Sequence, residues 1–323
     1  MSEVVLQARD LRVAARGRAS AVWPVDGVSF EVRGGECFGL AGESGAGKSL
    51  TLRAVIGLLP PSTSLARGTV LLRGEPYHAR SRAQRMGMVF QEPKTSLNPL
   101  MRAGEMIREG LRVHGVRGAH AKRSAIALLQ EVGIEDPELR LRSFPHQLSG
   151  GQRQRVAIAM ALAAEPAVLL CDEPTTALDV PVQERILQLL DRLRIERGLA
   201  IVFVSHDLAV IGRIAQRIGV MYAGRILECG PATEVLARPC HPYTERLLAS
   251  LPRIDAGMPA RGILGEPPSP GRWPSGCRFH PRCAHAKPDC SQAPYVLMDC
   301  GPDRQSACIY WRELELTAQR ECA

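Results

Sequence analysis

One segment of this 323-residue chain has the residue types and spacing of a phosphate-binding loop. The stretch Gly42–Ser49 fits the pattern G-x-x-x-x-G-K-[ST], directly after an apolar run that ends at Ala41 and before an apolar-patterned helix. Glycines let backbone N–H groups turn toward phosphate oxygens, and a helix N-terminus adds positive potential. We therefore expect Lys48 to reach the outer phosphates of a nucleotide and the Ser49 hydroxyl to bind Mg²⁺.

Two adjacent carboxylates follow another short apolar run, Val168–Cys171. In open α/β sheets ligands collect at the carboxyl ends of the strands, where Asp172 and Glu173 would lie. Asp172 would hold Mg²⁺, directly or through water, and Glu173 would polarise the attacking water as a general base. An isolated acidic pair is usually a solvated strand end, so it is the phosphate loop earlier in the chain that favours a catalytic role.

A second anion-binding helix start is predicted in the octet Leu148–Arg155, which leads into an Ala-rich helix. Ser149 is a suitable N-cap, and the two glycines after it favour a helix start that binds an anion. This octet resembles the signature of the ATP-binding-cassette (ABC) ATPases. Further markers stand in that family's order: Gln91 resembles the Q-loop glutamine, Ala177–Asp179 the D-loop and His206 the switch histidine.

The resemblance implies a P-loop NTPase fold of the α/β class with an inserted helical subdomain, and ATP with Mg²⁺ as cofactors. The ATP contacts would come from the phosphate loop and the residue after it: Gly42, Glu43, Ser44, Gly45, Ala46, Gly47, Lys48, Ser49 and Leu50. Mg²⁺ would be held by Ser49, Gln91 and Asp172. The catalytic set would be Glu173 as base, His206 steadying the transition state, Gln91 sensing the γ-phosphate, and Asp179. Because two cassettes of this family pack head to tail, the partner's nucleotide would be contacted by Ser149, Gly150, Gly151 and Gln152.

The chain departs from the family's pattern where an aromatic side chain usually stacks on adenine. The expected region, Leu11–Ala15, contains no aromatic residue, and Trp23 is the nearest one. A tryptophan beside an apolar strand more often packs than binds a base, so both roles stay open for Trp23.

Four further segments narrow the resemblance to the oligopeptide, dipeptide and nickel importer ATPases of bacteria: Gln91–Pro99, Asp172–Val180, Met221–Ile226 and His241–Thr244. The interval between Ser49 and Ser149 is too short for the long coiled coil of the chromosome-maintenance ATPases. A single cassette also disfavours the translation-factor branch. Within the importer group the chain resembles the D-type subunit.

The importer resemblance implies an ATPase that couples hydrolysis to uptake of di- or oligopeptides. Its partners would be two transmembrane permease subunits, a second ABC ATPase and, through the complex, an extracytoplasmic solute-binding protein. The D type typically works beside a related but different ATPase, which favours a heterodimer over a homodimer. The expected location is the cytoplasmic face of the inner membrane, as a peripheral subunit. The alternative is a soluble accessory ABC ATPase of a non-transport complex.

Several of the ten cysteines crowd into the C-terminal stretch, in a chain that shows no export signal. Metal binding is favoured over disulfides in such a chain. The tail is similar to the C-terminal extension of peptide-importer ATPases, in which four cysteines can hold a [4Fe–4S] cluster. The implied ligands are Cys277, Cys283, Cys290 and Cys308, with Cys300 as the alternative fourth. A zinc site and unligated thiols remain open.

The elements that must position these residues follow from the apolar pattern. Short continuous runs at Val168–Cys171 and Ala200–Val204 are typical of buried parallel strands, and the intervening pattern predicts a helix that ends at Gly198. A mainly helical subdomain is predicted over about 92–160. We expect an ATPase domain over residues 1–250 and a Pro-rich linker with a small Cys-rich extension over 251–323.

Composition and charge exclude other classes. The chain has 41 Lys and Arg against 33 Asp and Glu, a formal net charge of +8, but the arginines are dispersed through every segment. A solvated surface is therefore favoured over a nucleic-acid interface, and an aromatic content of 4% disfavours base stacking. No apolar run approaches the roughly 18 residues that a membrane span needs.

Overall fold

The computed structural model describes residues 3–16, 21–79, 85–92, 96–176, 178–251 and 262–316. Their contacts divide the chain into two compact units. The first unit comprises residues 1–6, 32–36 and 72–202, and the second comprises 7–31, 37–71 and 203–323. Among the expected motif residues, Pro93, Lys94, Thr95 and Ala177 lie outside the described residues, as does the 252–261 part of the predicted linker.

The described residues form strands and helices in the following order. The strands are β1 (Val4–Arg16), β2 (Ala21–Arg33), β3 (Cys37–Ala41), β4 (Thr63–Leu72), β5 (Glu75–Pro76), β6 (Met86–Val89), β7 (Val168–Asp172), β8 (Ala200–Ser205), β9 (Arg217–Tyr222), β10 (Arg225–Pro231), β11 (Met298–Gly301) and β12 (Arg304–Ser306). The α-helices are α1 (Lys48–Ile56), α2 (Ala103–Val113), α3 (Gly118–Glu131), α4 (Pro137–Arg140), α5 (Gly150–Leu162), α6 (Val180–Arg197), α7 (Leu208–Ile214), α8 (Ala232–Ala237) and α9 (Pro242–Ala249). Short 3₁₀ turns span Pro145–Gln147, His280–Arg282 and Pro288–Ser291.

The first unit joins a buried parallel strand pair to a set of helices. β6 and β7 pair in parallel, with Met88 opposite Leu170. The described residues between these strands form helices and no strand, and α2, α3 and α5 pack on one another. Every residue of β7 is buried, which is typical of a parallel strand in the interior of a sheet that is covered on both faces.

Two helices of the first unit bury apolar residues at helical spacing. In α3 the apolar residues Ala121, Ala125, Leu128 and Leu129 are buried on one face. In α6 the buried residues include Ile186, Leu189, Leu190 and Leu193. This helix ends at Gly198, which adopts the left-handed conformation (φ 61°) of a helix C-terminus.

The second unit contains two sheets. In one, β1 lies between β2 and β4. In the other, the fully buried β3 pairs in parallel with β9, and β9 pairs antiparallel with β10. The C-terminal strands extend this second sheet, because β12 pairs with β10, with Ser306 opposite Glu228, and β11 pairs with β12. The Cys-rich tail is thus joined to β10 of its unit by backbone hydrogen bonds.

A buried carboxylate ties the tail to the N-terminal strands of the second unit. The Asp26 carboxylate of β2 forms ion pairs with Arg12 of β1 (2.8 Å), Arg225 of β10 (2.8 Å) and Arg278 of the tail. Burial alone would raise the pKa of Asp26, but the hydrogen bond from Arg225 and the positive charges of the three arginines lower it below its usual value. Burial lowers the pKa of Arg278 to about 10, and the charge of Arg225 acts in the same direction.

Removing the central charge of this cluster should destabilise the fold strongly. Asp26→Asn leaves three arginines facing a neutral amide, and we expect the free energy of unfolding to fall by about 3–5 kcal/mol. Chemical denaturation with a matched control measures this. Glu196→Gln breaks an exposed helical pair with Arg192 (4.0 Å) and should cost less than about 1 kcal/mol. Equal losses in the two variants would contradict the role of Asp26.

Candidate functional site

The phosphate loop between β3 and α1 adopts a backbone that two glycines make possible. Gly42 (φ 149°) lies so close to β9 that an added Cβ would be 2.1 Å from the Met221 carbonyl oxygen. Gly47 (φ 104°) precedes α1, and an added Cβ would be 2.6 Å from the Pro24 carbonyl oxygen. Both positions therefore exclude a side chain on steric grounds as well as by their positive φ. The loop has the compact glycine cradle that a phosphate group requires.

Lys48 bridges the two sides of this loop. Its side chain is buried, and its Nζ donates to the carbonyl oxygens of Gly42 (2.7 Å) and Glu43 (3.0 Å). The ammonium group is therefore held over the loop from the first turn of α1. This is the position from which the predicted lysine can exchange carbonyl partners for phosphate oxygens.

Glu43 connects the loop to two side chains from farther along the chain. Its backbone N–H donates to the Tyr243 hydroxyl of α9 (2.9 Å), and its carboxylate accepts from Arg282 at 2.7 and 3.0 Å. Burial of Arg282 disfavours its charge, but the hydrogen bonds with Glu43 and Tyr222 and the nearby negative charge together outweigh burial and raise the arginine's pKa above its usual value. Tyr222, Tyr243 and Phe279 pack beside this ion pair, with ring centroids 4.6–5.4 Å apart.

In the first unit, the structure brings together two of the predicted catalytic residues at the end of β7. Glu173 follows the buried Asp172 and has a positive φ of 46°, which turns the chain sharply after the strand. Its Oε2 accepts from Gln91 Nε2 (3.2 Å) and from Thr176 Oγ1 (2.9 Å). The carboxylate of the predicted base is thus oriented by an amide and a hydroxyl.

The helix start at the signature octet has the predicted cap. Ser149 Oγ accepts from the Gln152 backbone N–H (3.2 Å), and the Gln152 side chain accepts from the Ser149 N–H (3.0 Å). Gly151 lies against α6, where an added Cβ would be 2.7 Å from Val182 Cγ1. Asp179 caps α6 by accepting from the Val182 N–H (2.9 Å), so the D-loop aspartate has a clear structural contact.

The predicted site residues are distributed over the two units. The phosphate loop lies in the second unit together with His206, which is exposed directly after β8. The other predicted nucleotide-site residues lie in the first unit: Gln91, Asp172, Glu173, Asp179 and the capped segment Ser149–Gln152.

Four C-terminal cysteines surround one small cavity. Cys277, Cys283, Cys290 and Cys308 line a space of about 30 Å³, enough for one or two water molecules. Burial and the neighbouring thiols raise the pKa of Cys283 to about 11 and that of Cys308 to about 12, since both favour the neutral thiol. Within the described residues, no three His, Cys, Asp or Glu side chains are arranged so that they could hold a metal ion. The donor types suit a metal, but their present arrangement does not.

Cys300 lies elsewhere, against Cys240. Burial and a hydrogen bond to Cys240 raise the pKa of Cys300 to about 12. The backbone N–H of Cys240 donates to the buried Glu228 (2.7 Å), and its carbonyl accepts from Ser306 (2.9 Å). This thiol pair belongs to the junction between β10 and the tail strands.

Trp23 is covered on one face by an arginine. The Arg12 guanidinium lies 5.5 Å from the Trp23 ring centroid, and the Trp23 carbonyl accepts from Trp273 Nε1 (3.1 Å). The first contact joins β1 to β2, and the second is a hydrogen bond between the tail and β2.

Comparison with known proteins gives two family models along the chain. One is described as ABC transporter and matches residues 25–176, and the other as oligopeptide/dipeptide transporter, C-terminal region, and matches residues 227–290. The oligopeptide transport ATP-binding protein of Escherichia coli is 42% identical over 317 residues, which cover 95% of this chain and 94% of that protein. The protein of the same name from Salmonella typhimurium has the same identity and the same coverage. The chain belongs to the ABC transporter ATPase family.

A solved ABC cassette confirms the fold of this family member. A dimeric ATP-binding cassette in a post-hydrolysis state, bound to ADP and Pi, is 28% identical and covers 70% of this chain and 98% of its own, with a TM-score of 0.62. The predicted α/β cassette fold is therefore correct. In the described part of this ABC ATPase, no helix has the length and apolar character that a membrane crossing requires.

Three contacts in this ABC ATPase were not predicted as functional from the sequence: Thr176 with Glu173, and Tyr243 and Arg282 with Glu43. Tyr243 belongs to a segment that carries the importer resemblance, and Arg282 directly precedes a cavity cysteine. Those positions mark the residues as noteworthy, but only the folded chain shows that both contact the phosphate loop.

The close approach at Gly42 should make this glycine irreplaceable. Gly42→Ala combines positive-φ strain with a backbone clash, and we expect a loss of about 3 kcal/mol of unfolding free energy and at least tenfold weaker ATP binding. Gly74→Ala is the matched control, because Gly74 also has a positive φ (81°) but open space around it. This control should cost about 1–2 kcal/mol and leave ATP affinity unchanged. Thermal unfolding and equilibrium ATP binding check the pair, and an equal response to both substitutions would be evidence against the clash.

Proposed function

We propose that this chain is the ATP-hydrolysing subunit of an ABC importer that takes up di- or oligopeptides. The observation that carries the proposal is the 42% identity to oligopeptide transport ATP-binding proteins over nearly the whole of both chains. The separate match to the transporter C-terminal region adds support, because it covers the part of the chain that follows the ATPase motifs. These relatives carry the word oligopeptide in their names, and this gives the proposed solute class.

The phosphate loop is proposed to bind ATP, and oxygen ligands from the loop and from the first unit are proposed to bind Mg²⁺. The loop backbone at Gly42 and Gly47 leaves no space for a side chain, and Lys48 supplies the positive charge. Ser49 and Asp172 carry the hard oxygen donors that Mg²⁺ prefers, with Gln91 as a further ligand. The bound cation would neutralise charge that develops on the phosphate oxygens.

Glu173 is proposed as the general base. The Gln91 amide and the Thr176 hydroxyl both donate to its Oε2, which orients the carboxylate for a water molecule. The carboxylate would accept the water proton as the water attacks the γ-phosphate. His206 and Asp179 would complete the catalytic set, with His206 at the transition state and Asp179 at the cassette interface.

Ser149–Gln152 is proposed to contact the nucleotide of a second cassette. Ser149 and Gly150 are exposed at the start of α5, where backbone N–H groups attract anions. The dimeric state of a solved relative supports such pairing. We propose a heterodimer with a related ATPase, held by two permeases at the cytoplasmic face of the inner membrane and served by an extracytoplasmic solute-binding protein.

The domain limits are part of the same proposal. Residues 1–250 would form the ATPase domain, with the helical subdomain over about 92–160, and residues 251–323 the linker and Cys-rich extension. The helices α2 to α5 support the helical subdomain, and the four cysteines that line the cavity support a Cys-rich extension.

A [4Fe–4S] cluster at the thiol cavity is proposed on the donor set alone. Four cysteines line one space, but that space is too small for a cluster and the thiols do not converge as ligands. Loading would therefore require the thiols to separate and lose their protons. No step of ATP hydrolysis is assigned to the cluster.

Iron and acid-labile sulfide analysis of protein purified without oxygen tests this proposal. About four irons per chain are expected in wild-type protein and far fewer in Cys308→Ser, because the loss of one of four thiolate ligands weakens a cluster. Cys300→Ser is the matched control and should keep its iron, since Cys300 lies against Cys240. Zinc alone, or no metal, in the wild-type protein would overturn the cluster.

The proposed base gives a specific kinetic prediction. Glu173→Gln should retain ATP binding and lose at least 100-fold in hydrolysis rate, because the amide cannot accept the water proton. Lys48→Ala is the contrasting variant and should abolish ATP binding. Filter binding and phosphate release check both variants, and near-wild-type turnover of Glu173→Gln would show that another group is the base.

The same Glu173→Gln variant tests the transport function. Tagged protein is purified with ATP from detergent-solubilised membranes, and its partners are identified by mass spectrometry. Two multi-span permeases and a second cassette ATPase are expected. Recovery of soluble enzymes alone would reject the importer and favour the accessory ATPase, with the ATPase mechanism unaffected.

A further inference from the structure

The Cys-rich tail reaches directly into the phosphate loop through one arginine. Arg282 closes the 3₁₀ turn His280–Arg282, which lies between the cavity cysteines Cys277 and Cys283. Its guanidinium binds both carboxylate oxygens of Glu43, at 2.7 and 3.0 Å. Such a bidentate, charge-assisted pair is among the stronger hydrogen-bonding arrangements in proteins.

The surroundings of Arg282 leave its guanidinium little freedom. The side chain is only 6% exposed and that of Glu43 is 23% exposed. The guanidinium also donates to the carbonyl oxygens of Leu264 (3.0 Å) and Ile263 (3.3 Å), and it lies 5.7 Å from the Tyr222 ring centroid. Because tail backbone and a buried ring fix the arginine, the arginine in turn fixes Glu43.

Glu43 is the residue through which the loop is held. Its N–H donates to Tyr243, its carboxylate binds Arg282, and its carbonyl accepts from Lys48. Three different groups of one residue therefore connect the tail, α9 and the lysine of the phosphate loop. Movement of Glu43 would alter both the backbone that receives phosphate and the position of Lys48.

We propose that Arg282 is a positioning residue of the nucleotide site, which acts through Glu43 to keep the phosphate loop in its ATP-binding conformation. The tail thereby sets the affinity of the chain for ATP. The inference rests on the proposed ATPase function and adds a residue that lies outside the nucleotide-site motifs identified in the sequence. If the phosphate loop is in its ATP-binding conformation for only a fraction of the time, the apparent dissociation constant for ATP equals the intrinsic constant divided by that fraction.

Equilibrium binding of Mg·ATPγS, a slowly hydrolysed ATP analogue, to the full chain tests the proposal. Arg282→Gln should bind about 10-fold more weakly, the scale of one lost charge-assisted hydrogen-bond pair. Arg282→Lys keeps the charge but loses the two-pronged geometry, and about threefold weaker binding is expected. Arg312→Gln is the matched control, because Arg312 is a tail arginine that lies over Trp311 instead of the loop, and it should bind as wild type.

A double-mutant cycle separates positioning from general damage to the fold. Glu43→Gln removes the other half of the pair and should weaken binding to a similar extent. Since both residues act through one contact, the double variant should be no weaker than Arg282→Gln alone. If the double variant instead bound ATPγS more weakly by the product of the two single fold-changes, the two residues would act independently and the proposal would be overturned.

Steady-state hydrolysis by the complex isolated through the tagged chain gives a second readout. Arg282→Gln should raise KM for ATP about 10-fold and change kcat less than twofold, because bound nucleotide itself selects the competent loop. Wild-type binding by a folded Arg282→Gln protein would overturn the inference and leave the proposed function intact. Failure of the wild-type chain to bind ATPγS would instead reject the ATPase function.

Discussion

A loop that offers its backbone N–H groups to an anion has few of those groups left to stabilise its own conformation. The segment between β3 and α1 faces this constraint, since phosphate binding needs its amides directed inward and available. Within the loop the Ala46 N–H donates to the Glu43 carbonyl (3.2 Å), and further contacts come from outside the loop. Four groups outside the loop contact it. The Met221 carbonyl of β9 packs closely against Gly42, and the Tyr243 hydroxyl and the Arg282 guanidinium bind Glu43. The N–H of Gly224 donates to the Ala46 carbonyl (2.9 Å).

Most of these contacts come from residues far along the chain, and this explains why the tail is built into the second unit. Tyr243 lies 200 residues from Glu43, and Arg282 lies 239 residues from it. The tail can deliver an arginine to the loop only if it is docked firmly, and two buried carboxylates provide that docking. Asp26 binds Arg278, while the fully buried Glu228 accepts from Arg304 at 3.0 Å. Each of these buried carboxylates pairs with an arginine of the tail, because an unpaired charge in a low-polarity interior would be destabilising.

The sequence predicts the local parts of this architecture well and the long-range parts poorly. The buried strand at Val168–Cys171 and the helix that ends at Gly198 follow from apolar spacing and a terminal glycine, because those signals are local. The signals for the phosphate loop and the Ser149 cap are also local, because each is a short motif whose own residues determine its conformation. The pairing of β10 with β12 joins residues whose patterns are unremarkable separately. Likewise, Arg282 is one of many dispersed arginines until the fold places it beside Glu43.

The cavity thiols illustrate a further limit of pattern reading. Spacing alone does not decide whether Cys300 or Cys308 accompanies Cys277, Cys283 and Cys290, because both follow within a short interval. The fold separates them, since Cys300 stands at the irregular point of the β11–β12 pairing while Cys308 lies beyond β12. The raised pKa values of Cys283 and Cys308 show that burial keeps these thiols protonated, and ligation must work against that burial. Because the turn that carries Arg282 lies between Cys277 and Cys283, a movement of these two cysteines that opened the cavity would also act on the arginine that binds Glu43.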